Sequence, residues 1–237
     1  CIHGYKIGDK MRIYLDNSAT TNTDKRVVES MLPYMTEVYG NASSLHGFGR
    51  EAAAAVDEAR AKIAAVFNAK PQEIYVTSGG TESDNWALRG VAHANAKEGK
   101  HIITTAVEHP AIMQTCKQLE KEGFSITYLP TGTDGRIRLE DLKAAVRDDT
   151  ILVSVMFANN ETGAIMPIKE IGAFCKENGI IFHTDAVQAI SSIKIDVDEY
   201  GIDLLSLSAH KFHGPKGIGL LYIRNGVKID RLMFGGH

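Results

Sequence analysis

The segment SAHKFHGPKG, residues 208–217, places two lysines directly after the apolar run IDLLSLS. A lysine amine attacks a carbonyl carbon only after losing its proton, so its ordinary pKa of about 10.4 must be lowered by burial or by nearby cations. Lys211 stands three residues past the apolar run, whereas Lys216 lies beyond a Gly-Pro turn and leads into the next run. Lys211 is therefore the predicted reactive amine. The alternative is a surface loop whose lysines serve only solubility.

A second apolar run, EIYVT, is followed by Ser78-Gly79-Gly80-Thr81 and then by a helical pattern. Glycines allow a tight turn, and the unpaired N–H groups at the start of a helix bind phosphate with the help of the helix dipole. The Thr81 hydroxyl adds a further donor. The alternative is an ordinary strand-to-helix turn that Ser78 or Thr81 caps. No Gly-Lys-Ser/Thr follows, so this is not a Walker loop.

Three more apolar runs end in polar side chains: Glu108 and His109 after HIITTAV, Asn159 and Asn160 after ILVSVMFA, and Asp185 after GIIFHT. Gln188, three residues after Asp185, falls on the same side of a first helical turn. Each group also has an alternative role that is purely structural. In that alternative His109 is a solvated loop residue, the asparagines cap a turn, and Asp185 caps a helix.

The elements that must position these groups alternate along the chain. Helical patterns cover roughly residues 24–39, 49–67, 81–97, 110–122, 139–147 and 167–178. Seven short apolar runs between and after them predict strands, and most lack the alternation of a half-exposed sheet. This order predicts an α/β fold, a three-layer α/β/α sandwich with a mainly parallel seven-stranded sheet. Ligands bind beyond the carboxyl ends of such strands, where the polar groups should converge.

This set of side chains matches pyridoxal 5'-phosphate better than other cofactors. That cofactor needs a lysine for its aldehyde, a carboxylate for its ring nitrogen, an anion site for its phosphate and a flat group over its ring. The nine histidines are scattered without the short spacing of a metal site. The Gly-x-Ser-x-Gly elbow of a hydrolase is absent.

The sequence resembles the cysteine desulfurases of the NifS/IscS type, fold-type I pyridoxal phosphate enzymes of the class V aminotransferase family. The form KFHGPKG is closer to the NifS/IscS group than to the SufS group. The matching segments run in family order from Met11 to Arg224: YLDNSATT, NASSLHGFGR, TSGGTESDN, EHPA, NNETG, HTDAVQA and SAHKFHGPKGIGLLYIR.

The resemblance implies a role for each predicted site residue. Lys211 is the Schiff-base lysine, Asp185 pairs with the pyridine nitrogen, and His109 stacks on the ring. The remaining implied roles are Gln188 on the ring oxygen, Asn160 near that oxygen and the substrate carboxylate, and Gly80, Thr81, Ser208 and His210 on the phosphate.

The implied reaction converts L-cysteine to L-alanine and an enzyme persulfide for iron–sulfur cluster or thio-cofactor assembly. A sulfur-acceptor or scaffold protein is the implied partner, and a homodimer the implied assembly. The family's nucleophilic cysteine lies in a C-terminal segment, and none of Cys1, Cys116 and Cys175 matches its motif. We therefore interpret residues 11–237 as a pyridoxal phosphate-binding large domain, incomplete at its C-terminal end and without the small C-terminal domain.

Such a chain is expected to be inactive alone. The alternatives are a pyridoxal phosphate-binding domain without desulfurase activity, and another fold-type I aminotransferase or lyase. The motifs NNETG and SAHKFHGPKG favour the desulfurase.

Composition limits the remaining functional classes. A net charge of -3 over 237 residues gives no basis for nucleic acid or an acidic membrane as partner. No apolar run reaches the roughly 18 residues of a membrane span. The three cysteines are widely spaced, which predicts neither a disulfide framework nor a zinc site and fits a cytoplasmic protein. Residues 1–10 lack a signal-peptide core and are interpreted as a leader of uncertain origin, separate from the large domain of residues 11–237.

Overall fold

The computed structural model describes residues 3–7 and 10–235. The strands in chain order are β1 His3–Ile7, β2 Lys10–Tyr14, β3 Ile74–Thr77, β4 His101–Thr105, β5 Ser125–Leu129, β6 Thr150–Ser154, β7 Ile181–Asp185, β8 Leu204–Ser208 and β9 Gly219–Ile223. The helices are α1 Lys25–Thr36, α2 Gly47–Phe67, α3 Gly80–Ala94, α4 Pro110–Lys121, α5 Leu139–Ala145 and α6 Ile168–Glu177.

Strands β3 to β9 form a seven-stranded sheet in the order β3-β9-β8-β7-β6-β4-β5. Four neighbouring pairs are parallel: β5 with β4, β4 with β6, β6 with β7, and β7 with β8. Strand β9 is antiparallel to both β3 and β8. It follows β8 after the short connection 209–218, which is too short for the crossover that a parallel neighbour requires. The predicted mainly parallel sheet is confirmed.

Helices cover both faces of the sheet. On one face, α3 and α4 pack through Leu88 and Ile112 into an apolar cluster. On the other face, α2, α5 and α6 contribute Phe67, Leu142 and Ile171 to a second cluster. The central strands β4, β6, β8 and β9 are buried along their whole length, which explains why their sequences lack alternation. The three-layer α/β/α architecture is confirmed.

The structure differs from the sequence-based expectation at two places. Strands β1 and β2, where the sequence predicted no strand, pair as an antiparallel hairpin that forms a two-stranded sheet of its own. After Asp185 the chain forms a turn closed by the Ile190 N–H on the Ala186 carbonyl oxygen, and no α-helix begins there. Cys1 and the final residues 236–237 lie outside the described residues. In the part of the chain that is described, no helix is long and apolar enough to cross a membrane.

Candidate functional site

A cavity of about 410 Å³ opens at the carboxyl ends of the parallel strands, a volume typical of small-molecule sites. It collects side chains from the ends of β7 and β8, from the start of α3 and from the loops after β4 and β6. All nine predicted site residues line it: Gly80, Thr81, His109, Asn160, Asp185, Gln188, Ser208, His210 and Lys211. The predicted convergence at one sheet edge is therefore present, while the role of each residue toward a cofactor stays a prediction.

The start of α3 forms one wall of the cavity without a capping side chain. Gly79 is the N-cap residue, and no side chain accepts a hydrogen bond there, so the alternative in which Ser78 or Thr81 caps the helix is wrong. The Ser78 N–H instead donates to Glu82 Oε2 at 2.8 Å. A Cβ atom at position 80 would come within 2.9 Å of the Val187 side chain, so glycine allows this close approach. The N–H groups of the first turn are thus available to an anion.

Lys211 reaches the cavity from the short 3-10 turn that follows β8. Its Nζ atom donates to the Ser18 carbonyl oxygen. Burial lowers the pKa of Lys211, while the negative charges of Asp185 and Asp16 oppose this shift. Lys216 is exposed and lines a neighbouring opening instead of this cavity. Of the two lysines in the segment, Lys211 has the surroundings of a reactive amine.

Asp185 ends β7 and is only 7% exposed. Its Oδ1 atom accepts a hydrogen bond from the Val187 N–H at 2.9 Å. Burial raises the pKa of Asp185, whereas the Val187 hydrogen bond and the charges of His109 and Lys211 lower it. A carboxyl group in this position suits a partner that is itself a cation or an N–H donor.

A segment that the sequence analysis left without a site role lies across the cavity. Ser18 and Ala19, from DNSATT, line it. The Gln188 Nε2 donates to the Ser18 carbonyl oxygen at 2.9 Å. His210 Nδ1 is hydrogen-bonded to Thr20 Oγ1 at 3.0 Å, and burial lowers the pKa of His210. This N-terminal segment therefore contacts three of the predicted site residues, Lys211 and Gln188 through the Ser18 carbonyl oxygen and His210 through Thr20.

The two predicted loop groups after β4 and β6 have different surroundings. His109 is exposed, and its Nδ1 accepts from the Ala111 N–H at 3.1 Å, which caps α4. Asn159 is buried and accepts from the backbone N–H of Glu161 and of Thr162, so it holds the turn. Asn160 is exposed and faces the cavity. Within the described residues, no group of three or more His, Cys, Asp or Glu side chains has the arrangement of a metal site.

Residues 13–237 match the family model described as "Aminotransferase class-V". The chain belongs to this family.

Curated relatives of this class-V chain carry the name "Cysteine desulfurase IscS". The protein of Clostridium botulinum strain Kyoto is 59% identical over 95% of this chain and 57% of the relative. The protein of Methanosarcina thermophila is 59% identical over 94% of this chain and 55% of the relative. The chain therefore spans somewhat more than half the length of these class-V relatives.

Solved structures agree with the class-V fold. A structure titled "NIFS-LIKE PROTEIN" superposes with a TM-score of 0.90 at 45% identity, covering 93% of this chain and 61% of the other. A structure titled "SspA in complex with cysteine" superposes with a TM-score of 0.91 at 41% identity, covering 94% and 65%.

The floor of the cavity contains a carboxyl group for which no site role was predicted. Asp84, on α3, lines the cavity and is 1% exposed. It lies one helical turn above Leu88 and on the same side as Ala87 and Val91, all of which are buried in the apolar cluster. A carboxylate placed on the apolar stripe of a helix is the signal that identifies it from sequence.

Proposed function

We propose that this chain is the pyridoxal phosphate-binding part of a cysteine desulfurase, which converts L-cysteine to L-alanine and transfers the sulfur to an enzyme thiol. The observation that carries the proposal is that Lys211, Asp185 and the uncapped start of α3 line one cavity. The names of the relatives that are 54–59% identical support the same substrate.

The donor set fits pyridoxal 5'-phosphate. A partly buried amine suits its aldehyde, a buried carboxyl suits its ring nitrogen, and uncapped helical N–H groups beside hydroxyls suit its phosphate. We assign the aldehyde to Lys211, the ring nitrogen to Asp185, the ring face to His109, the ring oxygen to Gln188, that oxygen and the substrate carboxylate to Asn160, and the phosphate to Gly80, Thr81, Ser208 and His210.

When bound, pyridoxal phosphate supplies an electron sink for charge that develops at the substrate Cα atom. An ionised Asp185 carboxylate would accept a hydrogen bond from the ring nitrogen and so favour a proton there. The lowered pKa of Lys211 leaves a larger fraction of its amine free to take the Cα proton. The Ser18 carbonyl oxygen fixes this amine at the cavity, and the same oxygen also accepts from Gln188 Nε2.

The full reaction also requires a thiol that accepts the sulfur and a protein that receives it. We propose that a thiol outside residues 3–7 and 10–235 receives the sulfur, because Cys116 and Cys175 are buried. We also propose a homodimeric enzyme in the cytoplasm that passes sulfur to an acceptor or scaffold protein. Exposed apolar side chains near the N-terminus, such as Leu45 at 91% and Phe48 at 58% exposure, support a further protein contact there.

Peptide mapping after borohydride reduction tests the cofactor assignment. We expect a pyridoxyl label on Lys211 when the chain is incubated with pyridoxal phosphate and reduced. Lys211→Ala should abolish the label, and the matched control Lys216→Ala should keep it. A label on Lys216, or no stoichiometric label on the folded wild-type chain, would contradict the proposal.

A further inference from the structure

Four buried polar side chains next to the cavity have no role in the proposed assignments: Asp84, Ser154, His183 and Ser206. Of these, Asp84 lines the cavity. One of its carboxyl oxygens, Oδ1, is buried without a hydrogen-bond partner. The nearest ring nitrogen, Nε2 of His183, is 3.7 Å from that oxygen, beyond hydrogen-bond distance. A buried carboxyl oxygen without a donor is costly in its ionised form.

His183 does not supply a positive charge to Asp84. The ring is fully buried between two hydroxyl groups, with Nδ1 at 2.9 Å from Ser154 Oγ and Nε2 at 2.9 Å from Ser206 Oγ. Burial lowers the pKa of His183 to about 3, so the imidazole is neutral at pH 7. Both nitrogens are already used by the hydroxyls, and Asp84 therefore faces a neutral ring.

The other ionisable groups that act on Asp84 are carboxyls. Burial raises the pKa of Asp84 well above its usual value, the charge of Asp185 raises it further, and Glu108 adds to this when it is ionised. Only the Ser206 hydroxyl opposes these effects. Lys211 and His109, the nearby basic groups, act on Asp185 instead. Asp185 also has the Val187 N–H as a donor. Of these two cavity carboxyls, Asp185 is thus the one whose surroundings favour a negative charge.

We propose that Asp84 is a positioning residue that holds a proton at the floor of the cavity, so that the negative charge of the floor stays on Asp185. Two buried carboxyls that line one cavity and act on each other do not both ionise readily, and they titrate as a pair. The neutral acid at position 84 leaves Asp185 free to hold a cationic or N–H partner. The consequence for the cofactor rests on the proposed function, whereas the proton on Asp84 does not.

Carboxyl spectroscopy of the cofactor-free chain tests the proton on Asp84. With 13C-labelled aspartate, we expect a protonated aspartic acid signal at pH 7 in wild type that is missing in Asp84→Asn and retained in Asp57→Asn, a control at an exposed carboxylate. In Asp185→Asn the remaining signal should titrate at least about one unit lower, because a nearby charge is gone. An Asp84 signal that is ionised at pH 7, or unmoved in Asp185→Asn, would overturn the proposal.

A second measurement uses the chain loaded with pyridoxal phosphate. Asparagine has the shape of the neutral acid, so Asp84→Asn should keep the cofactor affinity within about threefold and leave the pH midpoint of the cofactor's visible absorbance unchanged. A midpoint that falls by a unit or more would show that Asp84 carries a charge, and would refute the inference. If wild type itself binds no cofactor, the proposed function fails, while the carboxyl spectra still decide the state of Asp84. If Asp84→Asn does not fold, the carboxyl spectra of the wild-type protein still decide whether Asp84 is protonated.

Discussion

At the residue scale, burial shifts the pKa values of Lys211 and Asp185 in opposite directions. It lowers the pKa of the amine and raises that of the carboxyl, and the attraction between the two charges opposes both shifts. A cation that binds Asp185 would remove part of the attraction that keeps Lys211 protonated. The two residues are therefore linked, and changing one should alter the titration of the other.

Asp185→Asn should weaken proton removal more than cofactor binding. Loss of one charge-assisted hydrogen bond, worth about 1.5–3 kcal/mol, lowers affinity by roughly 10- to 150-fold. The proposed phosphate contacts and the proposed attachment to Lys211 are unaffected by this change. Loss of the ring proton should slow exchange of the alanine Cα proton further still. Cofactor affinity and exchange of the alanine Cα proton in D2O, followed by NMR, measure the two effects. Equal losses in both would contradict the assignment of Asp185 to the ring.

Glu108 gives a pH-dependent stability that can be tested without cofactor. Burial raises its pKa from 4.5 to about 8, and its Oε1 accepts from Thr105 Oγ1 and the Met156 N–H. Between these pH values the folded state binds more protons than the unfolded state, so stability falls as pH rises, by at most about 1.4 kcal/mol per unit. Glu108→Gln removes this titration.

The stability of Glu108→Gln relative to wild type should therefore increase from pH 5 to pH 8. Urea unfolding at several pH values measures the difference, and Glu51→Gln, at an exposed site on α2, is the control. A difference that is independent of pH would show that Glu108 is ionised in the folded protein throughout this range.

At the element scale, the segment before α1 and the loop between β8 and β9 hold each other. Thr21 is 8% exposed, and its Oγ1 donates to the His210 carbonyl oxygen and accepts from the His213 N–H. His213 has a φ of 66°, a left-handed conformation that a non-glycine residue adopts only when its surroundings support it. Thr21 thus fixes the loop that carries Lys211.

Thr21→Val should lower the free energy of unfolding by about 1–3 kcal/mol, because two hydrogen bonds are lost. It should also weaken retention of the cofactor, since the loop around Lys211 is less well fixed. Thr21→Ser keeps the hydroxyl and should behave like wild type in both assays. Urea unfolding and cofactor release by dialysis are the measurements. A valine variant as stable and as retentive as the serine variant would contradict the role of this hydroxyl.

The elements also show how far the sequence predicts the site. Strand exits are predictable because parallel strands bring their carboxyl ends to one edge, and this placed all nine residues at one cavity. The β1–β2 hairpin and the contact of Ser18 with Lys211 were missed, since a contact across 193 residues depends on tertiary packing. The prediction of a helical turn after Asp185 was wrong, because residues 187–190 form only a turn.

At the scale of the whole molecule, the described part of the chain leaves apolar surface uncovered. Helix α1 has no buried residue, and its Leu32 and Met35 are 53% and 63% exposed. Meanwhile the chain spans only about 57% of the length of its Clostridium botulinum relative. The candidate cavity and the two apolar clusters of the sheet lie within this span. The proposed cofactor binding can therefore be tested on this chain separately from the proposed sulfur transfer.

The thiols of the molecule define the last prediction. Desulfuration needs a thiolate at the substrate sulfur, and burial raises the pKa of both Cys116 and Cys175 to about 12. These cysteines are 0% and 1% exposed and belong to the two clusters on opposite faces of the sheet, and neither lines the cavity that Lys211 lines. Cys1 lies outside the described residues.

The 237-residue chain should therefore bind pyridoxal phosphate but release no sulfide above the background that free cofactor gives with cysteine. Sulfide and alanine are measured with saturating cysteine and dithiothreitol, with Lys211→Ala as the control for cofactor chemistry in the cavity. Cys1 does not match the family's nucleophile motif, so Cys1→Ser should give the same background as the unmutated chain. Turnover well above background that is lost in Cys116→Ser or Cys175→Ser would overturn the prediction, because a buried helix thiol would then have to leave its cluster to reach the substrate.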